Sequence, residues 1–266
     1  MPCLPNARLD FLKRYNGLLG KIVVTNVSKA FTIRHNRSNS LKSKFVGMFH
    51  KRYREQEEIL WALKNVSLNI APSQTFGLVG RNGSGKSTLL RVIAGIYQPT
   101  SGKVTLPAGA RVGSMIDLGV GFNVELTGRE NIFLSASMYG LQGKEIEAIY
   151  PAVVEFAELE AFMDVPIKNY SSGMQARLGF GLAVNLNPDV LLVDEIFAVG
   201  DEAFKDKCAE RMTQFRTAGK TIVMVSHDPG TIMNFCDRVC LLDHGIVLFT
   251  GDADEAFERY HAMLRH

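Results

Sequence analysis

Apolar and polar residues follow two recurring patterns along the chain. Short runs rich in valine, isoleucine and leucine are followed by longer segments in which apolar residues recur at helical spacing. The short runs predict strands and the longer segments predict helices, an alternation typical of an α/β fold with a mostly parallel sheet. We predict a hairpin turn at residues 243–245. Strands are predicted at residues 75–79, 104–106, 112–116, 190–193, 222–225, 239–242 and 246–249.

Two more strand-like runs, at residues 22–31 and 63–70, predict an antiparallel subdomain attached to this core. Residues 32–59 form an insertion between them. The later part of this insertion is apolar at helical spacing, as at Leu41 and Phe45, with lysines and arginines on the opposite side. It predicts either a solvated surface helix or a basic amphipathic helix near lipid headgroups or an anionic partner.

The remaining segments outside the strands are predicted to be helical or loosely ordered. Over residues 1–20 we expect either a loose tail or a short amphipathic helix. Helical spacing covers residues 127–162, where Thr127 and Glu130 have the spacing of a capping box. Residues 252–264 predict a closing helix.

Composition narrows the classes of function. The chain has 266 residues, of which 46% are hydrophobic, and a net charge of +3. These values are typical of a globular protein, and so mild a charge gives no reason to expect a nucleic-acid partner. The four cysteines form no C-x-x-C pair, so we interpret them as reduced thiols. Because no apolar run is long enough to span a bilayer and the first residues lack a signal-peptide pattern, work at a membrane would require another chain.

A phosphate-binding loop is the strongest motif in the chain. Residues 80–88 fit G-x-x-x-x-G-K-[ST] and lie between a predicted strand and a predicted helix. Such a loop directs backbone N–H groups at an anion, Lys86 can reach the β- and γ-phosphates, and Ser87 can ligate Mg²⁺. The motif predicts a nucleoside triphosphate site formed by Gly80, Arg81, Asn82, Gly83, Ser84, Gly85, Lys86, Ser87 and Thr88.

Two carboxylates end an apolar run about a hundred residues later in the chain. Asp194 and Glu195 follow the predicted strand at residues 190–193, and a buried parallel strand delivers its carboxyl end to the ligand edge of the sheet. We expect Asp194 to hold Mg²⁺, directly or through water. We expect Glu195 to orient or deprotonate the water that attacks the γ-phosphate.

Residues 170–177 resemble the signature motif of ABC-type ATPases, usually Leu-Ser-Gly-Gly-Gln with a Gln-x-Arg on the helix that follows. A serine hydroxyl and free N–H groups at a helix N-terminus form an anion site, so Ser171, Ser172 and Gly173 are candidate nucleotide contacts. The motif is kept at Ser171, Gly173, Gln175 and Arg177, whereas Tyr170, Ser172 and Met174 depart from it.

This resemblance implies roles for residues elsewhere in the chain. Asp201 is the expected aspartate of the D-loop, and His227 is the expected switch histidine at the γ-phosphate. No glutamine stands where the glutamine loop should be, and Asp117 is the best match, so that a carboxylate would replace the amide at Mg²⁺. Phe31 is the favoured aromatic for stacking on adenine, and Trp61 is the alternative.

The residues that depart from the common motifs resemble those of the bacterial polysaccharide-export class of this family. That class includes the ATP-binding subunits of exporters for O-antigen, capsule, teichoic acid and related glycans. The likeness covers residues 21–264 and implies one ABC ATPase domain at 21–266, with a helical subdomain at about 120–187. In that class the basic insertion resembles a helix near the cytosolic entrance of the channel. Some members carry a C-terminal carbohydrate-binding domain, and we expect none here.

The same resemblance implies a mechanism and partners. ATP with Mg²⁺ would be hydrolysed between two copies of the chain, on the cytoplasmic face of the cell membrane, and would drive a separate membrane-spanning permease. The alternatives are a teichoic-acid exporter ATPase and a soluble ABC ATPase acting on DNA or ribosomes. The soluble class usually has two ATPase domains or a long coiled coil, and neither is found. A P-loop kinase or GTPase is opposed by the signature segment and by the missing Asn-Lys-x-Asp motif.

Overall fold

The computed structural model of the chain describes residues 20–35, 56–116, 121–194, 201–226 and 228–264. Within these ranges a central sheet of six strands and an antiparallel sheet of three strands form the framework. The strands are β1 (Ile22–His35), β2 (Gln56–Ile70), β3 (Thr75–Val79), β4 (Ser101–Thr105), β5 (Val112–Met115), β6 (Val190–Asp194), β7 (Thr221–Val225), β8 (Arg238–Asp243) and β9 (Ile246–Gly251).

The central sheet has the strand order β5-β6-β7-β3-β8-β9, and each adjacent pair of strands is parallel except β8 and β9, which are antiparallel. Strands β3 and β7 are buried along their whole length. This accounts for their uninterrupted apolar character, since both faces of a parallel sheet are covered. The predicted α/β fold class is confirmed.

The antiparallel sheet has the order β2-β1-β4 and corrects one predicted boundary. Thr32 pairs with Ile59 and His35 with Gln56, so both strands continue into the predicted insertion at 32–59. Residues 32–35 and 56–59 form strands because each segment provides the backbone hydrogen-bond partners of the other. The segment between the paired strands is therefore 36–55, and the helix predicted there lies outside the described residues. Of the tail or short helix predicted over residues 1–20, residues 1–19 also lie outside the described residues.

The helices of the described ranges confirm the helical segments predicted from spacing. Thr127 caps α2 in the predicted capping box with Glu130. Helices α2, α3 and α4 share a buried core that includes Ile132, Val153 and Leu178, inside the range predicted for a helical subdomain. The helices are α1 (Lys86–Ile93), α2 (Gly128–Met138), α3 (Gly143–Ala157), α4 (Ser172–Asn185), α5 (Glu202–Thr217), α6 (Pro229–Phe235) and α7 (Ala253–Leu264).

The two faces of the central sheet are covered by different elements. On one face, Phe76 and Leu192 belong to a buried cluster with α1 and the antiparallel sheet. On the other face, Val193 and Met224 pack in a cluster with Phe204 of α5 and α7. Strands β3, β6 and β7 run parallel, so the segments after them meet at one edge of the sheet. Across the described part of the chain, no helix has the length and apolar character needed to cross a membrane.

Candidate nucleotide site

The loop between β3 and α1 is held in a conformation that requires glycine. Gly85 has φ 107° and precedes the first residue of α1. A Cβ at this position would lie 2.6 Å from the carbonyl oxygen of Ala62 in β2. The β8–β9 turn lies beside this part of β2, and the N–H of its Gly245 donates to the carbonyl of Ser84 at 2.9 Å. The loop is therefore held against β2 and this turn, the hairpin turn predicted from sequence.

Lys86 and Ser84 make the interior of the loop suited to an anion. Lys86 is 5% exposed, and its Nζ donates to the carbonyl oxygens of Gly80 and Arg81, both at 2.9 Å. The Ser84 hydroxyl is buried without a hydrogen-bond partner. A buried hydroxyl is normally satisfied, and here it lies beside a buried ammonium and the N-terminus of α1. These groups fit a phosphate, whose oxygens accept hydrogen bonds.

The remaining loop residues complete the cradle. Arg81, Asn82 and Gly83 are exposed at its outer side, whereas Thr88 is half-buried in the first turn of α1. A Cβ on Gly83 would meet no atom within 4 Å. The outer side of the loop therefore has open space for a ligand to approach.

Ser87 and Asp194 form a pair of oxygen ligands suited to Mg²⁺. The Ser87 hydroxyl donates to the Asp194 carboxylate at 3.3 Å, and both side chains are half-buried. Hydroxyl and carboxylate oxygens are what Mg²⁺ prefers, usually with few protein ligands and several waters. No group of three or more His, Cys, Asp or Glu side chains that could hold a metal ion occurs among the described residues.

Phe31 and Trp61 lie on the paired strands β1 and β2. The Phe31 ring packs edge-on against Tyr97 with centroids 5.4 Å apart, and the Lys29 ammonium lies 5.1 Å from its centre. Trp61 is 45% exposed and precedes Ala62, whose carbonyl oxygen faces Gly85. Both aromatics belong to the ribbon that touches the phosphate loop, and the preference for Phe31 stays a prediction.

The signature segment begins α4 with exposed serines. Ser171 caps the helix by accepting from the Met174 N–H at 3.2 Å, and Ser171 and Ser172 are exposed. Gly173 has no atom closer than 3.8 Å to the position of a Cβ. Tyr170, which departs from the family motif, is buried and donates to the Phe162 carbonyl at 2.7 Å. Its role is therefore to anchor the segment in the core of the helical subdomain.

Asp201 is joined to the signature helix by an ion pair. Its Oδ1 caps α5 by accepting from the Phe204 N–H at 3.0 Å, and its Oδ2 accepts from Arg177 at 2.8 Å. The second nitrogen of the Arg177 fork donates to Glu158 at 2.9 Å. Sequence reasoning noted Arg177 as part of the motif but missed Glu158, because no local pattern connects residues so far apart in the chain.

Three predicted site residues, Glu195, His227 and Asp117, lie outside the described residues. Described residues near Glu195 and His227 lie on adjacent strands of the central sheet. Asp194, which precedes Glu195, pairs with Val225 across β6 and β7.

An apolar groove lies between the central sheet and the helical subdomain. It has a volume of about 460 Å³ and is bounded by the end of α1, by β5 and by α2 and α4. Its lining includes Ile96, Phe122, Met138 and Tyr139. Met138 is 74% exposed, and Ile96 and Tyr139 beside the same groove are 52% and 40% exposed, so the exposed apolar side chains form a cluster.

Comparison with known proteins adds the following similarities. The sequence profile of the family described as ABC transporter matches residues 63–198. The teichoic acids export ATP-binding protein TagH of Listeria innocua is 39% identical over 245 residues, which are 92% of this chain and 71% of that protein. The O-antigen export system ATP-binding protein RfbB of Klebsiella pneumoniae is 39% identical over 239 residues, which are 89% of this chain and 95% of that protein.

Solved structures share the fold at lower identity. An ATP-binding subunit of an ABC transporter has a TM-score of 0.71 at 21% identity, over 92% of this chain and 99% of its own. A dimeric ATP-binding cassette in a post-hydrolysis state, bound to ADP and Pi, has a TM-score of 0.68 at 24% identity, over 87% of this chain and 98% of its own.

Proposed function

Because this chain belongs to the ABC transporter family, we propose that it is the ATP-hydrolysing subunit of an exporter for a lipid-linked polysaccharide or teichoic acid. Its relatives are named for the export of teichoic acids and O-antigen. The observation that carries the proposal is the loop of residues 80–88, where a buried ammonium and an unpartnered buried hydroxyl adjoin the Ser87–Asp194 pair.

We assign one half of the reaction to the copy that contributes this loop. Lys86 transfers its hydrogen bonds from the carbonyls of Gly80 and Arg81 to the phosphate oxygens. Glu195 orients the attacking water and accepts its proton, and His227 contacts the γ-phosphate. Mg²⁺, held by Ser87, Asp194 and Asp117, would neutralise charge on the phosphates.

The second half of the site comes from another copy of the chain. Ser171, Ser172 and Gly173 at the N-terminus of α4 suit a bound phosphate, and Asp201 would approach beside them. Phe31 would stack on adenine. A ligand that contacts both copies favours the closed dimer, and hydrolysis removes that differential contact.

The partner in the membrane is a permease, and the apolar groove beside Met138 is our candidate for its docking surface. An exposed apolar strip suits an amphipathic segment of a partner that is itself held at the membrane. The chain would then work peripherally at the cytoplasmic face, where ATP is available, and needs no nucleic-acid partner.

The catalytic proposal is tested with Glu195→Gln. This variant should bind ATP with unchanged affinity, lose most turnover and accumulate as an ATP-bound dimer in size-exclusion chromatography. Glu202→Gln, an exposed carboxylate in the first turn of α5, is the matched control and should hydrolyse ATP normally. Normal hydrolysis by Glu195→Gln would show that Glu195 does not activate the attacking water.

The docking proposal is tested by co-purification from membranes. Met138→Arg should lose the permease while the isolated subunit keeps its ATPase rate. Met233→Arg on α6 is the control, because Met233 is an exposed methionine as well, at 50%, and does not line the groove. Recovery of ribosomes or nucleic acid in place of a permease would overturn the proposal that this chain drives export.

A further inference from the structure

Lys207 of α5 caps the C-terminal end of α3. Its Nζ donates to the carbonyl oxygens of Glu155 at 3.3 Å and Phe156 at 3.0 Å, and to the Glu158 carboxylate at 3.0 Å. The last carbonyls of a helix have no partner within it and carry partial negative charge. Lys207 therefore uses all three of its donors to bind α5 to the end of α3.

Glu158 occupies a backbone conformation in which glycine is the usual residue. It follows the last residue of α3 with φ 58° and ψ 46°, the left-handed region. Helices often end this way, but on glycine, since a side chain is strained there. A side chain persists in such a conformation where the surrounding contacts hold it in place.

The Glu158 carboxylate contacts two cations from different helices. One oxygen accepts from Lys207 and the other from Arg177 of α4 at 2.9 Å. The hydrogen bond from Lys207 is the largest effect that lowers the pKa of Glu158, so the group stays ionised. A single carboxylate thus bridges a cation on α4 and a cation on α5.

Arg177 extends the bridge to the start of α5. It pairs with Asp201 at 2.8 Å, and its guanidinium lies 4.8 Å from the centre of the Phe204 ring. Helix α5 is therefore fastened to the helical subdomain at its cap and about two turns into the helix, and again further along, where the Arg211 guanidinium donates to the carbonyl of Val184 in α4 at 3.3 Å. The second fastening, through Lys207, contacts neither the phosphate loop nor the signature serines.

We propose that Lys207 and Glu158 are positioning residues that make the end of α3, the signature helix α4 and helix α5 move as one unit. Resting on the two-copy site proposed above, this inference means that Ser171 and Asp201 reach the partner's nucleotide together. Loss of the Lys207–Glu158 link leaves the phosphate loop intact but frees the carboxylate that orients Arg177 towards Asp201. Asp201 and the signature serines are then held together less firmly, which lowers turnover in the dimer.

The first test is Lys207→Met, with ATPase rate measured against protein concentration. We expect the maximal rate to fall by roughly 2- to 30-fold, the usual range for a residue that couples two sites. The Kd for a fluorescent ATP analogue, measured at concentrations where the protein is monomeric, should not change. Lys207→Arg keeps a cation with several donors and should restore much of the rate.

The matched control is Arg216→Met, which removes another cation of α5 that pairs with Asp237 at 2.9 Å, away from α3 and α4. It should hydrolyse ATP at the wild-type rate. A loss of rate in Arg216→Met equal to that in Lys207→Met would overturn the inference, because any weakening of α5 would then suffice.

The second test, Glu158→Gly, separates coupling from stability. Glycine relieves the left-handed backbone but removes the carboxylate, which is itself 52% exposed, so that the ion pairs lost are partly screened by solvent. We expect an unchanged or higher Tm together with the reduced rate of Lys207→Met, and no further loss in the double variant.

A wild-type rate in Glu158→Gly, or additive losses in the double variant, would refute the inference. A different set of results would show that the proposed two-copy site is itself wrong. The wild-type rate would then be independent of protein concentration, and no ATP-bound dimer would form in Glu195→Gln.

Discussion

The Ser87 hydroxyl lies 3.3 Å from the Asp194 carboxylate, which joins the first turn of α1 to the carboxyl end of β6. The two residues are 107 positions apart in the chain. They meet because α1 follows β3, and β3 and β6 both run parallel to β7, which lies between them in the sheet. The contact places a hydroxyl and a carboxylate at the edge where the phosphate loop opens.

If Ser87 and Asp194 bind Mg²⁺, removing either oxygen weakens the binding of the metal. Ser87→Ala and Asp194→Asn should each raise the Mg²⁺ concentration for half-maximal ATPase rate by about 10- to 100-fold. A Mg²⁺ titration at saturating ATP measures this shift. Asp254→Asn, an exposed carboxylate in the first turn of α7, should leave the titration unchanged. An unshifted curve for both site variants would rule out the pair as metal ligands.

Phe31 and Trp61 make different predictions for adenine binding. Stacking on a base is worth about 1–3 kcal/mol by alanine substitution, so Phe31→Ala should weaken ATP binding by about 5-fold or more. Trp61→Ala should change the Kd by less than about 2-fold, within the range of a surface substitution. Calorimetric titration of both variants decides between them.

A second readout needs no variant. Trp61 is the single tryptophan of the chain, so the wild-type emission reports on its surroundings alone. Strong quenching by ATP, together with a normal affinity of Phe31→Ala, would reverse the assignment.

Two glycines of the phosphate loop should respond differently to alanine. At Gly85 a Cβ would lie 2.6 Å from a backbone oxygen and 3.0 Å from Leu63, so Gly85→Ala should lower the free energy of unfolding by about 3 kcal/mol or more. At Gly83 a Cβ meets nothing within 4 Å, and only the left-handed backbone costs about 1–2 kcal/mol. Urea denaturation of the two variants measures the difference, and equal losses would contradict the clamped geometry of Gly85.

The buried cysteines should be inert in the folded protein. Burial raises the pKa of the Cys208, Cys236 and Cys240 thiols to about 12 in each case, so very little thiolate exists at pH 8. In a Cys3→Ser variant, a colourimetric thiol reagent should label almost nothing natively and three thiols after denaturation in guanidinium. Rapid native labelling would show that at least one of these thiols is accessible.

Much of the fold followed from local patterns. Apolar runs predicted the parallel strands, and the spacing of Thr127 and Glu130 predicted the start of α2. The ends of β1 and β2 were not predictable in this way, since Thr32 and Ile59 form strand only by pairing with each other. Tyr170 was noticed only as a departure from a motif, and its anchoring bond to Phe162 depends on packing of the helical subdomain.

The sequence by itself determined which chemistry this protein can perform. The order of Gly80, Lys86 and Ser87 specifies a backbone turn and its ligands within nine consecutive residues, and such short-range information is independent of the rest of the fold. The tertiary structure alone decided how distant side chains combine. Arg177, Glu158 and Lys207 meet across three helices because apolar packing brings those helices together, and no spacing along the chain records that geometry.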